Sequence, residues 1–198
     1  MIAAFIVVLA VSAVVTYAGV AYMRRWAERR MLDIPNERSS HTRPTPRGGG
    51  LLIVLVTLAG LWLAAPLLGI GGLTPALAAF SLGAALIAWV SWRDDLRPLP
   101  NRVRFGAHAA GALMVILFVG YWRSVELPLL PTFPLGWLGV PLTFLWIVGL
   151  TNAYNFMDGI DGLAGGQAVV AGLGWLALGQ LVGLPLVSLV GVLVAGSS

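Results

Sequence analysis

The chain has 198 residues, 59% of them hydrophobic and 10% charged, where a soluble domain carries about 25% charged residues. That deficit excludes an ordinary soluble fold and points to lipid as the main solvent, where backbone groups must pair within helices or closed barrels. Cysteine is absent, which excludes disulfides and thiolate metal sites, and a net charge of +4 on so apolar a chain reflects topology and anionic headgroups rather than nucleic acid.

The apolar runs are continuous, whereas the strands of a membrane barrel alternate apolar and polar residues; helices are therefore expected. Met1 to Met23 is free of charge and long enough to span, since a crossing needs about 20 residues. Positive charge follows this stretch instead of preceding it and no small-residue cleavage site ends it, so it reads as a retained helix and not a signal peptide. Residues 24–47 form a polar loop with seven arginines. Gly48 to Trp92 carries no charge and is too long for one crossing; a break between Pro66 and Pro75 divides it into two helices. A second charged loop covers residues 93–104, a fourth helix runs from about Phe105 to Trp122, and a proline-rich segment extends from Arg123 to Pro134. A fifth helix spans about Gly136 to Tyr154 and a sixth about Gly165 to Val182. Pro185 to Ala195 is too short to cross a bilayer of about 30 Å at 1.5 Å per residue, so a seventh helix is expected to be incomplete.

The expected fold is thus all-α: one polytopic transmembrane bundle over residues 1–198, with six complete spans, a truncated seventh and a periplasmic N-terminus. The orientation follows from the arginines, because positive charge near helix ends collects on the cytoplasmic side. Loops 24–47 and 93–104 hold eleven of the twelve arginines and fall on one side; only Arg123 falls on the other. Seven of the eight acids lie on the arginine-rich side as well, all but Glu126. Positive charge placement explains the arginines but not the acids.

Three segments could carry chemistry. Asp94 and Asp95 follow the third helix directly. Neighbouring carboxylates repel, and burial at a membrane border adds to the cost of charging them. A divalent cation relieves both penalties, and Mg²⁺ suits such a place because it takes a few carboxylate oxygens and completes its shell with phosphates and water. The plainer alternative is a solvated loop in which Asp94 or Asp95 pairs with Arg93 or Arg97.

The stretch from Asn152 to Ala164 is more specific. Asn155, Asp158 and Asp161 are spaced by three, which places them on one face of a helix. Gly159 and Gly162 each follow an aspartate and leave the backbone open to close approach. No basic residue lies beyond Arg123, so these acids call for a metal, a hydrogen-bonded ligand or a distant arginine. Helix capping alone would account for one aspartate and not for the pattern.

In the first polar loop, Gly48, Gly49 and Gly50 open the second helix beside Arg43 and Arg47. A helix N-terminus with nearby arginines suits an anion such as phosphate. Arg24 to Arg30 read better as a lipid-facing basic cluster. His41 is either a solvated loop histidine or a member of the phosphate-suited set. His108, inside the fourth helix, is either a functional intramembrane residue or a histidine bonded to a helix neighbour. The eight tryptophans, mostly near helix ends, read as an interfacial belt.

Together these segments resemble a known family. Asp33-x-Pro35 with Arg38-Ser-Ser-His41 and Pro44-Thr-Pro-Arg-Gly-Gly-Gly50, then Asp94-Asp95, then Asn155-x-x-Asp158-Gly-x-Asp161-Gly-Leu-Ala, resemble the polyprenyl-phosphate N-acetylhexosamine-1-phosphate transferases, relatives of phospho-MurNAc-pentapeptide translocase. The Arg-Ser-Ser-His form of the first loop looks most like the O-antigen-initiating branch. The resemblance implies transfer of a sugar 1-phosphate from a UDP-N-acetyl amino sugar to undecaprenyl phosphate, with release of UMP and Mg²⁺ as cofactor. It implies a multi-pass protein of the inner membrane with a cytoplasmic site, no nucleic-acid partner, and a second copy of the chain as a candidate partner. Asp94 would deprotonate or orient the lipid phosphate, with Asp95 supporting it or the metal. Asn155 and Asp158 would line the metal and diphosphate. Asp161 would bond the nucleotide base, and Arg47, with His41, Arg43, Gly48 and Gly49, would face phosphate or nucleotide.

Members of that family have about ten helices, and two further motifs, a metal-binding aspartate and a histidine- and arginine-rich loop for the sugar nucleotide, lie beyond the region matched here. The chain is therefore expected to be an N-terminal portion, with a non-catalytic assembly subunit as the rival reading. An aromatic prenyltransferase would need an Asn-Asp-x-x-Asp motif that Asp94-Asp95-Leu-Arg does not supply. An ion-coupled transporter would hold its acids near the bilayer midplane, not at helix ends.

Overall fold

The computed structural model describes residues 1–27, 48–71, 74–126, 129, 131–157 and 162–198, and the backbone of 32–33 and 45–46. Among the described residues it contains seven α-helices: α1 Ile2–Ala27, α2 Gly49–Leu67, α3 Pro75–Leu96, α4 Asn101–Phe118, α5 Gly139–Met157, α6 Leu163–Leu181 and α7 Pro185–Ser197. Two short antiparallel pairs accompany them, β1 Leu32–Asp33 with β2 Thr45–Pro46, and β3 Ser124–Val125 with β4 Phe133–Pro134. The fold is that of an all-α membrane protein. Four segments, Ile2–Ala27, Gly49–Leu67, Pro75–Leu96 and Gly136–Met157, are long and apolar enough to cross a bilayer. Helix α4 has 18 residues and α6 has 19. Arg102, Arg104 and His108 make the start of α4 polar, and Gln167, Gln180 and several glycines dilute α6.

The break after α2 falls at residues 68–74, where the composition placed it. Pro66 lies in the last turn of α2, and Gly69 and Gly71 take left-handed φ values of 66° and 65°. Thr74 then caps α3, its Oγ1 accepting from Leu77 N at 3.2 Å with Pro75 opening the helix, an arrangement that satisfies one of the free N–H groups at a helix start.

The second charged loop differs from its expected extent. Helix α3 continues through Arg93, Asp94 and Asp95 to Leu96, and α4 already begins at Asn101, so the connection shrinks to residues 97–100. Arg-Pro-Leu-Pro explains the brevity: Arg97 is extended (φ −150°, ψ 121°) before Pro98, as a residue preceding proline must be. The charges ride on helix ends instead of filling a loop.

The chain divides into two compact units, residues 1–72 with 157–198, and residues 73–156. In the first, α7 is surrounded by α1, α2 and α6. Leu189, Val192, Leu193, Ser188 and Ser197 are buried almost completely. Small residues allow the close approach that lipid-embedded helices need, since lipid supplies no hydrophobic drive between them. A Cβ added at Gly172 would come within 2.6 Å of Gly191 O, and one at Gly191 within 2.5 Å of Leu176 N. Hydroxyls tie the seam: Thr57 Oγ1 and Ser197 Oγ lie 2.9 Å apart, and Gln180 Nε2 donates to Ser188 Oγ at 2.8 Å.

In the second unit α3 and α4 form an antiparallel pair in which Gly83 faces Gly111 and Ile87 lies over Gly111. Val90, Ala107, Ala112 and Ile116 are buried there. Residues 122, 123 and 135, between α4 and α5, are tied down by hydrogen bonds. Trp122 N donates to Thr143 Oγ1 at 2.9 Å, Leu135 N donates to Arg123 O at 2.9 Å, and the Trp122 and Trp146 rings meet at 5.3 Å. Outward, α1 and α2 present large apolar side chains such as Ile6, Val14, Leu55 and Leu63.

Candidate functional site

Asp94 and Asp95 occupy the last turn of α3, and both belong to the second unit. Two oxygens fix Asp94. Its Oδ1 accepts from Leu99 N at 2.6 Å, and its Oδ2 accepts from Arg104 Nη1 at 3.1 Å. Leu99 sits in the connection and Arg104 in the first turn of α4, so one carboxylate ties the end of α3 to the start of α4. The Arg104 guanidinium also donates through Nη2 to Asn101 Oδ1. The pair is partly exposed, 33% for Arg104 and 23% for Asp94, so its contribution to stability is about 1 kcal/mol or less; what it supplies is geometry. The partner of Asp94 is thus Arg104, and not Arg93 or Arg97.

His108 lies one turn beyond Arg104 on α4 and is 5% exposed, with Nδ1 buried and, among the described residues, without a hydrogen-bond partner. Asn155 is exposed on the last turn of α5, also in the second unit. Among the described residues no group of three or more His, Cys, Asp or Glu side chains comes together to hold a metal. Asp158 and Asp161 lie outside the described residues, as do His41, Arg43 and Arg47.

In the first unit, β1 pairs with β2 so that Asp33 stands opposite Thr45 and Leu32 opposite Pro46. That pairing sets residues 32–33 beside residues 45–46, just before Gly48. Gly48 adopts φ 101° as it leads into α2, a conformation that costs a residue with a Cβ about 1–2 kcal/mol. Among the described residues an added Cβ at Gly49 or Gly50 would meet nothing within 4 Å, so packing among them does not require glycine there. Gly162 repeats the device before α6, with φ 74°.

Sequence reasoning missed Arg104 as the partner of Asp94, and Asn101 as the partner of Arg104. The signal was present in Arg97-Pro98-Leu99-Pro100, a connection short enough to fold α4 back against α3 and bring position 104 beside position 94.

The chain is thus of the class of all-α membrane proteins, with two neighbouring carboxylates at the end of one helix. Within that class the chain belongs to glycosyl transferase family 4, whose sequence profile matches residues 77–197. The matched segment contains Asp94, Asp95, Arg104, His108 and Asn155. The chain is similar to the probable undecaprenyl-phosphate N-acetylglucosaminyl 1-phosphate transferase of Bacillus subtilis (strain 168), 37% identical over 154 residues, 77% of this chain and 41% of that protein. It is similar to the phospho-N-acetylmuramoyl-pentapeptide-transferase of Synechococcus sp. (strain JA-3-3Ab), 34% identical over 177 residues, 82% of this chain and 50% of that protein. It is also similar to the decaprenyl-phosphate N-acetylglucosaminephosphotransferase of Mycobacterium leprae (strain TN), 30% identical over 169 residues, 82% of this chain and 42% of that protein. The chain spans half the length of these relatives or less.

Proposed function

We propose that the chain carries part of the site of a polyprenyl-phosphate sugar-1-phosphate transferase. The donor is a UDP-N-acetylhexosamine, the acceptor is undecaprenyl phosphate, and the product starts a cell-surface polysaccharide of the O-antigen type. The observation that carries this reading is the coincidence of the family match with Asp94 and Asp95 at the end of α3. Three relatives named for transferring an amino-sugar phosphate unit, two of them to a named polyprenyl phosphate, support it.

In the proposed reaction Asp94 accepts the proton of the lipid phosphate. The freed oxygen attacks the phosphorus bonded to the sugar, and the bond from that phosphorus to UMP breaks, with UMP leaving as the anion. Such a transfer needs positioning and neutralisation of charge more than covalent help. The donor set fits Mg²⁺, which takes one or two carboxylates together with substrate phosphates and water. Asn155 and Asp158 would hold the ion, which would neutralise the diphosphate, with Asp95 supporting Asp94 or the ion. Asp161 would bond the base, and His41, Arg43, Arg47, Gly48 and Gly49 would cradle phosphate or nucleotide. In this reading residues 1–198 form one domain with six spans and a begun seventh, a periplasmic N-terminus and a cytoplasmic site in the inner membrane, with a homodimer as the candidate assembly.

The test incubates membranes carrying the chain, or the complete product of its gene, with undecaprenyl phosphate, Mg²⁺ and labelled UDP-sugars. Lipid-linked sugar phosphate and UMP in equal amounts are expected from the complete product, and Asp158→Asn should abolish both while leaving insertion intact. No product from either form would refute the transferase reading and favour a non-catalytic assembly subunit. Near-normal turnover by Asp158→Asn would refute its assignment to the metal.

A further inference from the structure

We infer that Arg104 is a positioning residue of the transfer site, and that it acts by fixing the direction of the Asp94 carboxylate. The inference rests on the proposed transferase function and goes beyond it by assigning a role to a residue outside the three motifs.

A side chain on the last turn of a helix is ordinarily free to choose among rotamers, and a carboxylate that must meet a substrate oxygen has to be held in one. Asp94 is held at both oxygens from the next element, by Leu99 N at 2.6 Å and by Arg104 Nη1 at 3.1 Å. Each carboxylate oxygen can accept two hydrogen bonds, so these contacts set the orientation and leave acceptor positions for a proton. Arg104 is in turn held by Asn101 Oδ1, which fixes the plane of the guanidinium as well as its place. A lysine could supply the charge but not the two-ended fork, because its ammonium is a point donor. Arginine does not lose its proton in proteins, so the holder stays charged and does not compete for the proton that Asp94 takes. Arg104 is itself partly exposed, so the arrangement is not a burial device. The turn has other reasons to close in Pro98 and Pro100, which makes a purely structural role for the ion pair a weaker account.

The experiment measures transfer by the complete gene product in membranes, normalised to folded protein, for Arg104→Gln and Arg104→Lys. Arg104→Gln should lower kcat about 10- to 100-fold with KM for the UDP-sugar within about threefold, the latter because the donor is not its partner. Arg104→Lys should recover only part of that loss. Arg104→Gln with wild-type kcat overturns the inference. If Arg104→Gln does not fold, Arg104→Lys decides: folded protein with kcat lowered at near-unchanged KM supports positioning, and folded protein with wild-type kcat overturns it. A wild-type product with no transfer at all removes the functional reading and this inference with it, a result distinct from an active wild type with an indifferent Arg104.

Discussion

At the scale of single residues, glycine does two different things at the head of α2. Gly48 is there for its backbone: with φ at 101°, Gly48→Ala should cost about 1–2 kcal/mol, read as a lower thermal midpoint in detergent. Gly49 has no such need, since a Cβ would meet open space. Gly49→Ala should therefore keep the midpoint, and a tenfold or greater loss of transfer in that variant would mark close approach by a ligand; unchanged transfer would remove Gly49 from the phosphate cradle. His108 offers a third check. Its Nδ1 is buried without a partner among the described residues, and an unsatisfied buried polar atom costs about 1–3 kcal/mol. His108→Leu should raise stability by about 1 kcal/mol; a clear loss would mean the imidazole has a partner in the native membrane.

At the scale of elements, the packing of α7 is the sensitive joint. Gly172 and Gly191 back onto each other's carbonyls, so Gly172→Val should separate α6 from α7 and cost at least about 2 kcal/mol, measured as loss of resistance to unfolding in mixed detergent. Thr57→Val, which removes one hydroxyl from the Thr57–Ser197 pair, should cost nearer about 0.6 kcal/mol, the usual value for a hydrogen bond between membrane helices. Equal effects for the two would contradict a seam held by close packing. Much of this layout was legible beforehand: the charge-free first helix, the break at Pro66 to Pro75, and the position of the aspartate pair at a helix end. The edges of the charged loop were not, because Arg93 to Asp95 and Asn101 to Arg104 are polar, and polarity alone does not separate a helix end from a loop. A helix that leaves the bilayer keeps its hydrogen bonds in water and stops only where Pro98 forces it. Nor could composition tell α7 from a lipid-facing helix, since Leu, Val and Gly serve both. The difference lies in its neighbours. Of the candidate site, residue types and order could be read directly, while the Asp94–Arg104 contact required knowing that α4 folds back on α3.

At the scale of the molecule, the absence of native cysteine makes the proposed orientation simple to check by single-cysteine labelling. In intact cells an impermeant maleimide should modify Ser124→Cys, in the β3–β4 hairpin, and should reach Leu99→Cys only after the membrane is opened. The reverse pattern would place the aspartate pair on the outer face. The interleaving of the two units has a consequence for biosynthesis. Helices α1 and α2 enter the membrane early, yet the helix that fills the slot between them, α7, emerges only after the whole of the second unit and α6 have been made. At ordinary translation rates that gap is on the order of ten seconds. During it Thr57 and Gly60 of α2 and Ser12 of α1, which α7 later covers, stand open to lipid, and the half-built protein is a target for membrane quality control until α7 arrives.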